Sequence, residues 1–109
     1  MQTVEAVCVQ LSVARDELAI WIERQWVRPK AQEGEHYFDA ADVARARLIR
    51  ELAYELSIDE NAMPVILSLL DQLYAMRGLV KELADAVEDL PEPARSTLLD
   101  RVRAAMAEE

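Results

Sequence analysis

The sequence predicts an all-α, mainly helical fold: a winged helix-turn-helix with a small two-stranded wing, followed by a long heptad helix and a C-terminal helix. Three observations predict it. Alanine, leucine, glutamate and arginine dominate a chain that is 52% apolar and holds only two glycines, a composition of good helix formers and not of a disordered tail. Around Pro29 and Gly34 the helical pattern gives way to short extended stretches. From Ile66 onward apolar residues recur at alternating spacings of three and four. A chain of 109 residues suits one small folding unit with an appendage, because short chains bury proportionately little surface. The expected boundaries are residues 1–58 for the winged helix-turn-helix-like domain, 59–90 for a long dimerisation helix and 91–109 for the C-terminal helix.

Thr3 is placed to cap a short helix ending near Leu11, since its hydroxyl can accept from a first-turn amide. Ser12 offers a second cap, for a helix that sets Val13, Leu18, Ile22 and Trp21 inward and Asp16, Glu17 and Glu23 toward water. Pro29 then biases Arg28 away from helix, so residues 26–30 and 35–38 read as two wing strands around the turn AQEG. Gly34 supplies the positive φ that such a turn needs. Asp39 caps the next helix, with Asp42 in its first turn and Val43, Ala46, Leu48 or Ile49, Leu52 and Leu56 on its apolar face. Residues 57–59 break the chain. Asp59 or Asn61 caps the long helix beyond the break, with Pro64 tolerated in the first turn.

That long helix carries an uninterrupted a/d seam: Ile66, Leu69, Leu73, Met76, Val80, Leu83, Val87 and Leu90. A helix over residues 61–89 is roughly 43 Å long at about 1.5 Å per residue, more than so small a domain can cover alone. The seam is therefore expected to pair with a second copy as a homodimer. Pro91 and Pro93 end this helix, and Leu98, Leu99, Val102 and Met106 form the stripe of a last one.

Charge narrows the function. Residues 1–27 hold two cations against four anions, residues 28–50 five against four and residues 51–109 five against thirteen, so the net −9 is concentrated in the last block. Such a balance repels a phosphate backbone and attracts basic surfaces. The segment where a wing and reading helix would grip DNA offers Arg15 and Arg24 among Asp16, Glu17 and Glu23, with Glu33 and Glu35 at the wing tip. Arg45, Arg47 and Arg50 are expected to pair with Asp42, Glu51 or Glu55 at helical spacing. Trp21, Trp26, Tyr37 and Phe38 read as wing-to-helix packing.

A lone Cys8 and a lone His36 make no disulfide and no four-ligand zinc site, and no phosphate loop or nucleophile motif occurs, so neither an enzyme nor a cofactor is expected. Cys8 reads as a small buried hydrophobe and His36 as a packed or surface residue. No segment approaches the roughly 20 apolar residues of a membrane span, and a cytoplasmic location is expected.

The run WIERQWVRPKAQEGEHYFDAADVARARLIRELAYELSIDENAMPVILSLLDQLYAMR, with Tyr37-Phe38-Asp39 leading into DVARARLIREL and Leu-Asp-Gln-Leu at 70–73, resembles the CbpM family of chaperone modulators, a branch of the MerR-like winged helix-turn-helix proteins. The resemblance covers residues 4–80. It implies a protein that binds the J-domain of a DnaJ-type, CbpA-like co-chaperone and inhibits its stimulation of a DnaK-type chaperone. Beside it, the charge pattern singles out Glu51, Glu55, Asp59 and Glu60 as partner-binding residues. The rival reading is a MerR-type transcriptional regulator that binds DNA, and a purely structural coiled-coil scaffold is a second.

Overall fold

The Thr3 hydroxyl accepts the Ala6 amide at 3.2 Å and starts α1 (Val4–Leu11) in this computed structural model, which describes residues 1–108. Residues 2–3 just before it form a strand, β1 (Gln2–Thr3). Helix α2 (Arg15–Glu23) comes next, with Leu18 and Trp21 buried and Asp16 and Glu23 in water. The expected cap at Ser12 is corrected. Ser12 closes α1 in the left-handed region, where its amide and that of Val13 bond back to Val9 and Cys8, and α2 opens from Ala14 without a side-chain cap. Gln25 ends α2 in the same way, with the Trp26 amide donating to the Trp21 carbonyl at 3.0 Å.

The wing is the hairpin of β2 (Lys30–Gln32) and β3 (Glu35–Phe38). Gln32 pairs with Glu35, leaving Glu33 and Gly34 as a two-residue loop with φ of 51° and 81°. Positive φ at both loop positions matches the twist of the flanking strands and is why glycine stands second. Against the expected two strands, β1 adds to β3 antiparallel, giving a three-stranded sheet in the order β1-β3-β2. Residues 26–29 lie outside the strands. Trp26 and Val27 are instead buried under the helices.

Asp39 caps α3 (Ala40–Arg50) through a reciprocal pair of bonds, its Oδ1 accepting the Asp42 amide at 2.8 Å and its own amide donating to Asp42 at 3.0 Å. Lys30 reaches the other oxygen at 2.6 Å, so one side chain ties wing to helix. The Lys30 hydrogen bond and the Asp42 amide hold the Asp39 carboxyl down at about 2. A carboxylate depressed in the folded chain stabilises it above the unfolded value, near 3.8, and loses that contribution as pH falls through about 2. Asp39→Asn is therefore expected to lower the thermal midpoint at pH 7, with the gap to wild type closing toward pH 2 in acid melts followed by circular dichroism.

Val43, Ala46, Ile49 and Leu52 supply the buried face, Leu48 only partly. Leu56 is corrected to a surface position, 64% exposed. The physical reason is a π-helical turn over Glu51–Glu55, closed by the Leu56 amide on the Glu51 carbonyl at 3.2 Å. One extra residue in the turn rotates the next side chains off the buried face. Ser57 at φ 54° then stops the helix, and the Ile58 amide folds back on the Leu52 carbonyl at 2.9 Å.

Three helix stops thus use Ser12, Gln25 and Ser57 in a conformation that favours glycine. Because a side chain there costs about 1 kcal/mol, Gln25→Gly is expected to stabilise the domain by roughly 0.5–1 kcal/mol in a urea titration. An unchanged or lower midpoint would mean that Gln25 makes compensating contacts.

Asp59 accepts the Ala62 amide at 2.8 Å and opens the way into α4 (Met63–Glu88), with Pro64 in its first turn. The chain forms two compact units, divided after Leu69. The first unit holds the core, in which Val7, Leu18, Val27, Phe38, Ile49 and Met63 are essentially inaccessible. In α4 only Met63 and Leu67, both in that unit, are buried. The second unit, with the rest of α4 and α5 (Ala94–Ala107, entered from Pro93), contains no buried residue among those described. Its apolar stripes are on the surface: Leu73, Met76, Val80 and Leu83 are 47–57% exposed, and Leu98, Val102 and Met106 are exposed as well.

One expectation about this helix changes. By length and composition α4 is apolar enough to cross a membrane, with a mean hydropathy of 1.2 over its best eighteen residues.

Candidate functional site

Two surfaces of the first unit bear on what the chain binds: the face formed by α2 and the wing, and the junction where the π-helical turn leads into α4. On the first, three of the four basic groups that a DNA-reading frame would spend on phosphates are engaged with carboxylates, Arg28 being the exception. Arg15 pairs with Glu5 at 2.8 Å, Arg24 with Glu60 at 3.2 Å and Lys30 with Asp39 at 2.6 Å. Asp16, Glu23, Glu33 and Glu35 are exposed on the same elements. Exposed pairs contribute little to stability, so their weight here is electrostatic: they leave this face without a net positive patch. At the wing Tyr37 donates to Glu35 at 3.1 Å, and that carboxylate pushes the phenol up.

Arg45 reaches beyond its own helix. Its Nε donates to the Trp26 carbonyl at 2.9 Å, fastening α3 to the segment before the wing. Arg50 lies over the Tyr54 ring, 5.1 Å from its centroid, and reaches Glu55 at 3.9 Å. Arg47 is exposed. Trp21, Trp26 and Phe38 are core as expected, and Tyr37 is half-buried. Cys8 is only partly covered, although burial still raises its thiol, and His36 is likewise half-buried.

The second surface is a groove of about 290 Å³ lined by Glu17, Ile20, Trp21, Trp26, Ala53, Ile58, Asp59, Glu60 and Met63. Its walls arise from local backbone geometry. The π-helical turn positions Ala53, the Ser57 stop brings Ile58 back toward the domain, and the Asp59 cap fixes the entry to α4. Apolar side chains form its floor and three carboxylates its rim. Tyr54 donates a short hydrogen bond to Glu17, and its phenol is pushed up to about 12 by burial and by that carboxylate. Arg24 pairs with the groove residue Glu60 and lies 5.5 Å from the ring centroid of Trp26.

Of the four acidic residues singled out from the sequence, Asp59 and Glu60 line this groove, while Glu51 and Glu55 sit on the π-helical turn beside it in the chain, both exposed. Glu17, Ile20 and the two tryptophans were not assigned to a binding surface, because they come from α2 and the segment just after it, more than thirty positions before Ile58 in the chain. The heptad residues Ile66, Leu69, Leu73, Met76, Val80, Leu83 and Val87 all lie on α4, Ile66 and Val87 half-buried and the others exposed.

The helix pair α1–α2, the wing and α3 reproduce a winged helix-turn-helix, and the profile of the family described as MerR HTH family regulatory protein matches residues 2–85. The chain belongs to this MerR family. No curated protein and no solved structure matches it. Membership accounts for the shared frame of helix-turn-helix, wing and succeeding helix, and the match runs through most of α4 before ending short of α5.

Proposed function

We propose that this MerR-family chain is a cytoplasmic, non-enzymatic modulator that binds the J-domain of a DnaJ-type, CbpA-like co-chaperone and inhibits its stimulation of a DnaK-type chaperone. The observation that carries the reading is the neutralised α2 and wing face, where Arg15, Arg24 and Lys30 each pair with a carboxylate and the remaining exposed charge is mainly acidic. A frame of this kind suits a basic protein surface better than a polyphosphate. The chaperone-binding face of a J-domain is basic and helical, as the resemblance to the CbpM family implies. The partner-binding set is Glu51, Glu55, Asp59 and Glu60.

The active species is a homodimer joined through α4. Its second unit has no core of its own among the described residues, yet carries an apolar stripe along one face, and burial against another copy removes that stripe from water. The same argument favours a coiled coil over a membrane span for α4, since Asp71 and Arg77 interrupt the apolar stretch and charges at mid-bilayer are costly.

The test is an ATPase assay in which a DnaK-type chaperone is stimulated by the J-domain protein. Added chain is expected to return turnover to the unstimulated rate at saturation. Full stimulation at saturating chain would contradict the reading. The family description itself favours a second reading, a DNA-binding transcriptional regulator, for which Arg28 and Arg47 remain exposed.

A further inference from the structure

The geometry points to the groove between α2 and the entry to α4 as the seat of one amphipathic helix from a basic protein partner, with Arg24, which pairs with the groove residue Glu60, as an internal competitor that the partner's own cation displaces. The inference rests on the reading of a protein partner and names where on the chain it docks. Ile20 is 41% exposed beside the nearly buried Trp21 and Met63, so an apolar side chain entering between Ile20 and Ile58 covers surface that is now wet. Around this floor the rim presents Glu17, Asp59 and Glu60. An apolar slot bounded by carboxylates is complementary to a helix with one apolar anchor and flanking lysines or arginines.

Arg24 shows what such a cation does here. Its guanidinium engages Glu60 at 3.2 Å and lies over the Trp26 face at 5.5 Å, so two groove residues are already satisfied from within the chain. A partner arginine that takes both places must first displace Arg24. Removing Arg24 therefore frees the site, and binding tightens.

The experiment uses the full chain and two probes: a fluorescent J-domain and a synthetic basic amphipathic peptide of leucine and lysine at helical spacing. Glu60→Gln is expected to weaken J-domain binding roughly threefold, and Ile20→Asp by roughly tenfold or more, since it places a charge in the slot. Arg24→Gln is expected to tighten binding roughly threefold, whereas Arg28→Gln, an equal loss of charge at a residue that is not paired with a groove carboxylate, has a smaller effect.

Circular dichroism confirms folding of each variant, and Ile20 is surface enough for its replacement to leave the core intact. Binding that ignores Ile20→Asp and Arg24→Gln overturns the groove while leaving the J-domain reading in place. If wild type ignores the J-domain, that reading falls, and the peptide decides the groove: capture lost in Ile20→Asp supports it, no capture overturns it. Dissociation of a wild-type dimer by Ile20→Asp would mean that a second copy fills the groove, and would also overturn the inference.

Discussion

Leu73→Glu is expected to leave the chain monomeric in sedimentation velocity at micromolar concentration, where wild type is expected to sediment as a dimer. Leu73 is 47% exposed in the single chain and sits at an a position between Leu69 and Met76 on the same face of α4. In a paired seam each a residue is enclosed by four side chains of the facing helix. A carboxylate introduced there loses its hydration without gaining a partner, a cost of several kcal/mol that exceeds what one layer of a short coiled coil contributes. Because no residue of the second unit is buried within one chain among those described, the substitution has no core to disrupt, and helix content should change little. An unchanged sedimentation coefficient would place the dimer interface elsewhere or leave the chain without one.

Phe38→Ala is expected to cost about 3–5 kcal/mol, a large share of the roughly 5–15 kcal/mol that holds a domain of this size together. Phe38 ends β3, is fully inaccessible, and pairs through its backbone with Gln2 of β1. The residue immediately before the Asp39 cap thus joins the sheet to the packed helices, so its removal opens a cavity where wing, α1 and α3 meet. Urea unfolding should show a midpoint shifted far down with one cooperative transition in the first unit. A loss below about 1 kcal/mol would mean that the surrounding helices collapse into the space.

Features set by one side chain acting on nearby backbone were legible in the sequence. Thr3, Asp39 with Asp42, and Asp59 cap where expected, Gly34 takes the positive φ of the wing turn, and Pro64 and Pro93 stand at helix starts. Features that depend on distant partners were not. β1 is two residues long and exists because β3, more than thirty positions away, offers an unpaired edge. The helix stops at Ser12, Gln25 and Ser57 carry no glycine signal, and the π-helical turn that turns Leu56 outward leaves no mark in residue spacing.

The candidate site divides on the same line. Two of its three carboxylates, Asp59 and Glu60, were readable from charge near a helix junction, and Glu17 was not. The apolar floor was not, because Trp21 and Trp26 read as ordinary packing and Ile20 carries no signal of its own, and only the folded chain brings them to Ile58 and Met63. Arg24 looked like a candidate phosphate contact. Its pairing with Glu60, thirty-six positions along the chain, changes what it contributes to the surface.

The central claim is that a MerR-family frame here grips a protein and not DNA. The most direct measurement is a parallel anisotropy titration of the chain into a labelled J-domain and into labelled duplex DNA at moderate salt, repeated at higher salt. Saturable J-domain binding that weakens as salt rises, with no DNA binding, is the result expected from an acidic surface meeting a basic one. Tight DNA binding with a steep salt dependence, and no response to the J-domain, would contradict the account.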